Sequence, residues 1–188
     1  MDESFLHVIT GPMFAGKTVR LLSEITSLSS QGKSVRVLTH AIDTRRGIGD
    51  ISTHDGLILP AHPVSSAASI LDHVDGVSPV AIDEAQFFGE DLIPVVEELL
   101  NRNLRVLVSG LCVTFDGRPF TPLPELMVVA NKVSKLVATC WCGAPAPYHQ
   151  SVRSLGDALT IDKEQVGGSE SYEARCRLHF TGAIAYGM

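Results

Sequence analysis

One segment constrains the fold of this 188-residue chain more than any other, and it reads Gly11-Pro12-Met13-Phe14-Ala15-Gly16-Lys17-Thr18. It fits the pattern G-x-x-x-x-G-K-[ST], in which the glycines let successive backbone N–H groups point at a phosphate. The apolar run before it, residues 5–10, predicts a buried strand. Residues 18–31 after it have the leucine and isoleucine spacing of an amphipathic helix. A strand, a glycine-rich loop and a helix in this order predict a P-loop site, with Lys17 at the phosphate oxygens and Thr18 at Mg²⁺.

The rest of the chain alternates short β-branched runs with amphipathic stretches, which is typical of an α/β domain. Further strands are predicted at residues 35–39, 79–83, 104–109 and 135–139, and helices at 66–73, 90–101 and 125–132. Residues 41–56 are rich in Asp, Arg, Gly and Thr and predict a long functional loop. After Thr139 the composition shifts toward Cys, Gly, Pro, His and Tyr. We therefore expect one domain over residues 1–139 and a smaller one over residues 140–188.

Composition excludes several classes of protein. Hydrophobic residues make up 45% of the chain, so it is not disordered as a whole. The net charge of −6 lacks the basic footprint of a protein that coats nucleic acid. No apolar run approaches the roughly 20 residues that span a bilayer, and the start Met1-Asp2-Glu3-Ser4 lacks the basic region of a signal peptide. These features predict a cytoplasmic enzyme with neither nucleic-acid nor membrane partners.

Two acidic residues follow the predicted strand at 79–83. A P-loop site needs a carboxylate at the end of a neighbouring strand to hold the metal, and Asp83 has that place. Glu84, one residue further, suits a base that accepts a proton from a hydroxyl or a water. In isolation the pair would be a solvated acidic turn. Beside a P-loop it indicates nucleotide-dependent phosphoryl transfer, with the acceptor left open.

Several motifs together carry a family resemblance. The P-loop precedes Asp83-Glu84-Ala85-Gln86-Phe87-Phe88 and a cysteine-rich tail, in the order found in the type II (cytosolic, zinc-containing) thymidine kinases, which the chain closely resembles. The match continues in Thr53-His54-Asp55-Gly56, Gly110-Leu111, Thr114-Phe115, Arg118-Pro119-Phe120, Lys135-Leu136, Val166-Gly167-Gly168-Ser169-Glu170-Ser171-Tyr172 and Cys176-Arg177-Leu178-His179. The resemblance implies a P-loop (RecA-like) parallel sheet flanked by helices, with a small C-terminal domain that binds zinc and covers the substrate.

The resemblance also implies an activity and its residues. ATP would phosphorylate the 5′-hydroxyl of thymidine or deoxyuridine to give dTMP, in a homotetramer inhibited by dTTP. Residues 11–18, Asp83 and Gln86 would bind ATP, Thr18 and Asp83 would hold Mg²⁺, and Glu84 would be the catalytic base. The nucleoside-binding residues would be Met13, Phe87, Phe115, Phe120, Val166, Gly167 and Tyr172. Without the resemblance, those aromatic residues would be interpreted as ordinary core.

The tail offers three thiolates and one imidazole, a set that suits tetrahedral structural zinc. The ligands are expected to be Cys140, Cys142, Cys176 and His179. The alternative is that Cys140 is a buried thiol at a strand end and the site is incomplete, with His149 as a substitute ligand. Residues 147–175 resemble the family's substrate-covering loop.

The chain departs from the family pattern at three points. The first cysteine pair is spaced C-x-C instead of C-x-x-C, so that Gly143 is expected to help the chain bend away. Gln150 is followed by Ser151 where the family often has Arg, which leaves the role of Arg153 open. The roles of Asp43 and Arg45 are open as well. Cys112 replaces an acidic residue and is interpreted as a small buried hydrophobe.

Two other functions fit parts of the sequence. A P-loop ATPase with a zinc ribbon acting on nucleic acid would share the P-loop and the cysteines, but the acidic charge and the aromatic motif after Asp83 oppose it. A nucleoside monophosphate kinase would need an arginine-rich lid, and the sequence contains no such cluster.

Overall fold

The computed structural model describes residues 4–42, 50–52, 58–152 and 171–182. Its α-helices are α1 (Lys17–Ser30), α2 (Leu92–Asn101) and α3 (Leu123–Val129), and 3₁₀ helices cover Ala68–His73 and Ala85–Asp91. The strands are β1 (Phe5–Gly11), β2 (Arg36–His40), β3 (Asp50–Ser52), β4 (Ile58–Pro60), β5 (His62–Val64), β6 (Val80–Asp83), β7 (Arg105–Leu111), β8 (Lys132–Lys135), β9 (Ala138–Thr139), β10 (Pro145–Ala146), β11 (Tyr148–Ser151) and β12 (Tyr172–Arg175). None of the described helices is long and apolar enough to cross a membrane.

Six strands form one sheet in the order β5-β2-β6-β7-β1-β8, and every pairing in it is parallel. The predicted α/β fold with a parallel sheet flanked by helices is therefore confirmed. Because β6, β7 and β1 are neighbours, their carboxyl ends lie side by side at one edge of the sheet, where parallel α/β sheets bind their ligands.

The sheet is buried on both faces, and alternate residues of each strand face opposite ways. Leu6 and Val8 of β1 pack with α2 and α3 in the larger core cluster, whereas Ile9 packs with Leu21 and Ile25 of α1. The apolar spacing that predicted α1 from sequence is therefore the face that covers the sheet.

The last part of the chain forms two small ribbons, β9 with β10 and β11 with β12, both antiparallel. We call the described residues 138–152 and 171–182 the cysteine tail. Its buried cluster consists of alanines and cysteines: Ala138, Cys140, Ala146 and Cys176. Among the residues that the structure describes, no Leu, Ile, Val or Phe belongs to that cluster, so it buries far less apolar surface than the core of the sheet.

Three sequence-based elements need correction. The helix predicted at residues 125–132 begins at Leu123 and ends at Val129, because Ala130 is extended and Lys132 already belongs to β8. The strand predicted at 135–139 is two strands: β8 pairs with β1, and β9 pairs with β10 in the tail. The predicted loop 41–56 contains strand β3, while residues 43–49 and 53–57, including Asp43 and Arg45, lie outside the described residues.

Candidate active site and metal site

The P-loop connects β1 to α1 and curls tightly at two points. Gly16 has a left-handed backbone (φ 79°), which a glycine adopts without strain. A Cβ at Gly11 would lie 2.5 Å from the Leu136 carbonyl oxygen, so this position requires glycine for close approach. No acidic residue occupies the first turn of α1, so the positive end of the helix dipole is available to an anion. Lys17 Nζ donates a hydrogen bond of 2.8 Å to the Pro12 carbonyl oxygen, so its side chain folds back onto the P-loop.

Asp83 is buried at the end of β6. Burial, reinforced by the neighbouring Glu84 carboxylate, raises the pKa of Asp83 to about 6, while the positive charge of Lys17 acts in the opposite direction. A buried carboxylate of this kind favours a nearby cation that supplies the missing positive charge. Together with the Thr18 hydroxyl in the first turn of α1, it offers the oxygen ligands that Mg²⁺ prefers. The donor set therefore fits magnesium.

Glu84 directly follows β6 and has a left-handed backbone (φ 50°, ψ 43°), unusual for a residue with a side chain. Strained backbone of this kind is concentrated at functional sites. Gln86 Nε2 donates a hydrogen bond to Glu84 Oε2 at 2.5 Å, and Gln86 Oε1 accepts one from the backbone N–H of Leu111 at 3.0 Å. The structure thus joins Gln86, which the sequence assigns to ATP, to Glu84 and to the end of β7.

Four of the predicted nucleoside-binding residues belong to one apolar cluster. Met13 of the P-loop, Leu111 at the end of β7 and Tyr172 of β12 are buried there, and Phe115 and Phe120 pack against them partly exposed. Phe87 is not a member of this cluster, and its ring centroid lies 6.2 Å from that of His40. Val166 and Gly167 lie outside the described residues. The cluster therefore joins the P-loop, the sheet edge and the cysteine tail.

His149 links the cysteine tail to the P-loop. It is fully buried on β11, and its Nδ1 accepts a long hydrogen bond from the backbone N–H of Met13 at 3.4 Å. Its ring lies edge-on to that of Tyr172, with centroids 5.7 Å apart. His149 is not part of the metal-ligating group described below, so its expected role as a substitute zinc ligand finds no support.

The three cysteines and one histidine of the tail converge, with all four ligand atoms within 4.8 Å of one another. Cys142 Sγ is 3.8 Å from Cys176 Sγ, and Cys140 Sγ is 3.7 Å from His179 Nδ1. A tetrahedral zinc with Zn–S bonds of about 2.3 Å has ligand–ligand edges of about 3.8 Å. Cys140, Cys142, Cys176 and His179 could therefore hold zinc, and their convergence opposes the alternative of an incomplete site.

The short C-x-C spacing is accommodated by a tight turn. The backbone N–H of Gly143 donates to the Cys140 carbonyl oxygen at 2.8 Å, and Gly143 is left-handed (φ 83°). Burial favours the neutral thiol of Cys140, but the backbone N–H groups of Cys142 and Cys176 and the His179 ring lower its pKa to about 6. The thiolate is the form that binds metals.

A family model described as thymidine kinase matches residues 4–180 of the chain. The match covers nearly the whole sequence, including the P-loop, the Asp83–Glu84 strand end and the cysteine tail. The chain belongs to the thymidine kinase family. It is therefore a kinase, and the family implies thymidine and ATP as its substrates.

Sequence reasoning missed two contacts of this site. One is the hydrogen bond from Met13 to His149, 136 residues away, and the other is the placement of Gln86 between Glu84 and Leu111. For His149, the available signal was a histidine beside an expected substrate-covering loop. For Gln86, it was an amide two residues after a candidate base. Neither signal identifies a partner that is distant in sequence.

Proposed function

We propose that the chain transfers the γ-phosphoryl group of ATP to the 5′-hydroxyl of thymidine or deoxyuridine, forming dTMP or dUMP as in nucleoside salvage. The observation that carries this proposal is the shared edge of the sheet. At this edge lie the P-loop after β1, Asp83 at the end of β6 with Glu84 after it, and the apolar cluster that contains Met13 and Leu111. The phosphate-binding loop, a candidate metal ligand, a candidate proton acceptor and an apolar surface for the planar nucleobase are thus adjacent.

On the phosphate side, the backbone N–H groups of Gly11 and of residues 13–18, with the N-terminus of α1, bind the ATP phosphates. Lys17 leaves the Pro12 carbonyl to contact the β and γ oxygens. Thr18 and Asp83 would hold Mg²⁺, which when bound neutralises charge that develops on the transferred phosphoryl group. Asp83 must be ionised for this role, and the positive charge of Lys17, which lowers the pKa of Asp83, favours the ionised form.

On the acceptor side, Glu84 orients the 5′-hydroxyl and takes its proton as the new O–P bond forms, while the bond from the γ-phosphorus to the bridging oxygen breaks and ADP leaves. Phosphoryl transfer has a loose transition state, so that alignment and charge contribute more than strong nucleophilic activation. A carboxylate that both aligns the hydroxyl and accepts its proton meets these requirements.

The nucleoside base contacts the partly exposed rings of Phe115 and Phe120 beside Met13 and Tyr172. Phe87, Val166 and Gly167 complete the proposed nucleoside-binding set. Cys140, Cys142, Cys176 and His179 would hold zinc in a structural role. The ion would join the β9–β10 turn to the segment after β12 and so anchor the root of residues 147–175.

We further propose a homotetramer in the cytoplasm that dTTP inhibits. Support for assembly comes from the outer edge of the sheet. Within the described residues, β8 has no strand on its outer side, and valines around it are exposed: Val128, Val129, Val133 and Val137. Clustered apolar side chains at an unpaired strand edge favour association with another chain.

Labelled phosphate transfer tests the activity. The purified chain is incubated with γ-labelled ATP and Mg²⁺, and with thymidine, deoxyuridine, dTMP or single-stranded DNA in separate reactions. We expect label at the 5′-position of thymidine and deoxyuridine. Lys17→Ala should weaken the use of ATP far more than the binding of thymidine. Turnover that depends on single-stranded DNA, or label on dTMP alone, would contradict the proposal.

A further inference from the structure

We infer that Gln86 is a positioning residue that fixes the carboxylate of Glu84, instead of a ligand of ATP. The inference rests on the proposed role of Glu84 as the base. In this role Gln86 acts through Glu84, and its side chain does not contact the reacting atoms.

Both ends of the Gln86 amide are engaged inside the protein. The NH₂ group donates to Glu84 Oε2 at 2.5 Å, and the carbonyl oxygen accepts from the Leu111 N–H at 3.0 Å. The side chain is buried, with 5% of its residue surface exposed. A carboxylate needs a donor and a backbone N–H needs an acceptor, so only one orientation of the amide satisfies both neighbours. The NH₂ group has one further N–H, but the nitrogen that carries it is already held against Glu84, so the position of the amide is set by Glu84 and Leu111.

The surrounding backbone is shaped to admit this side chain. A Cβ at Gly110 would lie 2.7 Å from Gln86 Oε1 and 3.1 Å from the Ala85 nitrogen. The Thr10 hydroxyl donates to the Gly110 carbonyl oxygen at 2.8 Å, which fixes the end of β7 against β1. The Gln86 amide therefore occupies the space that a side chain at residue 110 would fill. The hydrogen bond between β1 and β7 fixes the backbone around that space.

The result is a rigid connection from the sheet to the base. Glu84 follows β6 and Leu111 ends β7, and Gln86 joins the two. A buried amide that hydrogen-bonds to a carboxylate restricts the orientations that the carboxylate can adopt. This matters because misplacing a catalytic group by about 1 Å can lower the rate about 10²-fold. Glu84 also has a strained backbone, which the same contact helps to maintain.

Gln86→Met provides the most direct test, because methionine matches the length of glutamine and lacks both hydrogen bonds. We expect kcat to fall about 10- to 100-fold, with the KM values for thymidine and ATP changed by less than about threefold. Gln86→Glu keeps the shape but sets a second carboxylate against Glu84, and its kcat should fall at least as far. Circular dichroism and thermal melts of both variants confirm that the fold is retained.

A double-mutant cycle with Glu84→Gln separates positioning from ATP binding. In the Glu84→Gln background, Gln86→Met should change kcat by less than about twofold, because there is no base left to position. A rise in the KM for ATP in both backgrounds would overturn the inference, as would independent, multiplicative losses of kcat.

The two proposals fail in different ways. If the wild type does not phosphorylate thymidine, then the proposed function fails whatever Gln86 does. If the wild type is active but Glu84→Gln keeps full kcat, then the role of Glu84 as the base fails, and the positioning role of Gln86 fails with it. If the wild type is active, Glu84→Gln is impaired and Gln86→Met retains full kcat, then only the positioning role fails.

Discussion

The carboxyl edge of the sheet and the cysteine tail hold their functional groups by opposite means. At the sheet edge, a large apolar core on both faces supports a buried carboxylate with a raised pKa and a glutamate with a strained backbone. The tail has a core of alanines and cysteines, and its strongest potential link is a metal ion. The core of the sheet is large enough to tolerate unfavourable charge and strain at its edge. A segment without such a core depends on a ligand for its shape.

Glu84→Gln is expected to give the largest effect and acts on the sheet edge alone. Removing a general base typically lowers the rate by about 10²–10⁴-fold, so kcat should fall by that order while thymidine KM changes little. The fold and the zinc content should not change. Steady-state kinetics at neutral pH measures this, with Glu90→Gln, an exposed acid in the same 3₁₀ segment, as the matched control. A variant that retains more than half of the wild-type kcat would exclude Glu84 as the base.

His7 on β1 provides a test of the stability of the sheet that does not depend on the candidate active-site residues. It is fully buried on β1, and burial together with the Lys132 cation lowers its pKa to about 4, against the opposing effect of Glu24. Above pH 6.5 the residue is neutral whether folded or unfolded. As the pH falls from 6.5 to 4, only the unfolded chain takes the proton, so the free energy of unfolding should fall by up to about 3 kcal/mol.

Denaturant titrations across pH 4–8 test this expectation, with His7→Gln as the comparison. The variant should lose this part of the pH dependence, because glutamine does not titrate. Parallel pH curves for the two proteins would show that His7 contributes nothing to acid destabilisation.

Cys176→Ser acts on the tail instead. It removes one of four ligands, so the zinc content should drop from one ion per chain to near none. The root of residues 147–175 then loses its anchor, and thymidine KM should rise about tenfold, while the main unfolding transition of the sheet should move little. Elemental analysis, thymidine titration and a thermal melt measure the three effects. Cys112→Ser, a change at a free cysteine outside the cluster, should alter neither the zinc content nor thymidine binding nor the melt. A zinc-free Cys176→Ser variant that binds thymidine normally would refute the anchoring role.

His149→Phe should give the smallest effect, because it affects the contact between the two regions. Phenylalanine keeps a buried ring beside Tyr172 but cannot accept the hydrogen bond from Met13. An unsatisfied buried N–H costs about 1–3 kcal/mol, and we expect a few-fold rise in thymidine KM with kcat nearly unchanged. His149→Asn, which retains an acceptor close to the position of Nδ1, should behave more like the wild type. Equal KM values for all three proteins would mean that the bond does not influence nucleoside binding.

The features that the sequence predicts well are those set by local pattern. The P-loop, helix α1 and the apolar strands β1, β6 and β7 each follow from the pattern of their own consecutive residues. The convergence of Cys140, Cys142, Cys176 and His179 is also predictable, since cysteine and histidine have few other roles in such an arrangement. Family resemblance added the assignment of Glu84 and the nucleoside-binding residues.

The features that the sequence misplaced depend on long-range partners. Residues 135–139 form an apolar run that resembles one strand, yet pairing with β1 ends at Lys135 and pairing with β10 begins at Ala138. The position of that break is set by tertiary contacts and leaves no periodic signal. Likewise Gln86 reaches Leu111 across 25 residues, a contact that only the neighbouring strands reveal.

The bond between Met13 and His149 has a consequence for biosynthesis. The two residues are 136 positions apart, so at 5–20 residues per second the ribosome adds His149 roughly 7–27 s after Met13. During that interval the nascent phosphate loop lacks the acceptor that it has in the finished protein, and the apolar cluster lacks Tyr172. The contact between the phosphate loop and the cysteine tail therefore forms late in synthesis, and a chain released before residue 149 would contain the nucleotide motif without that contact.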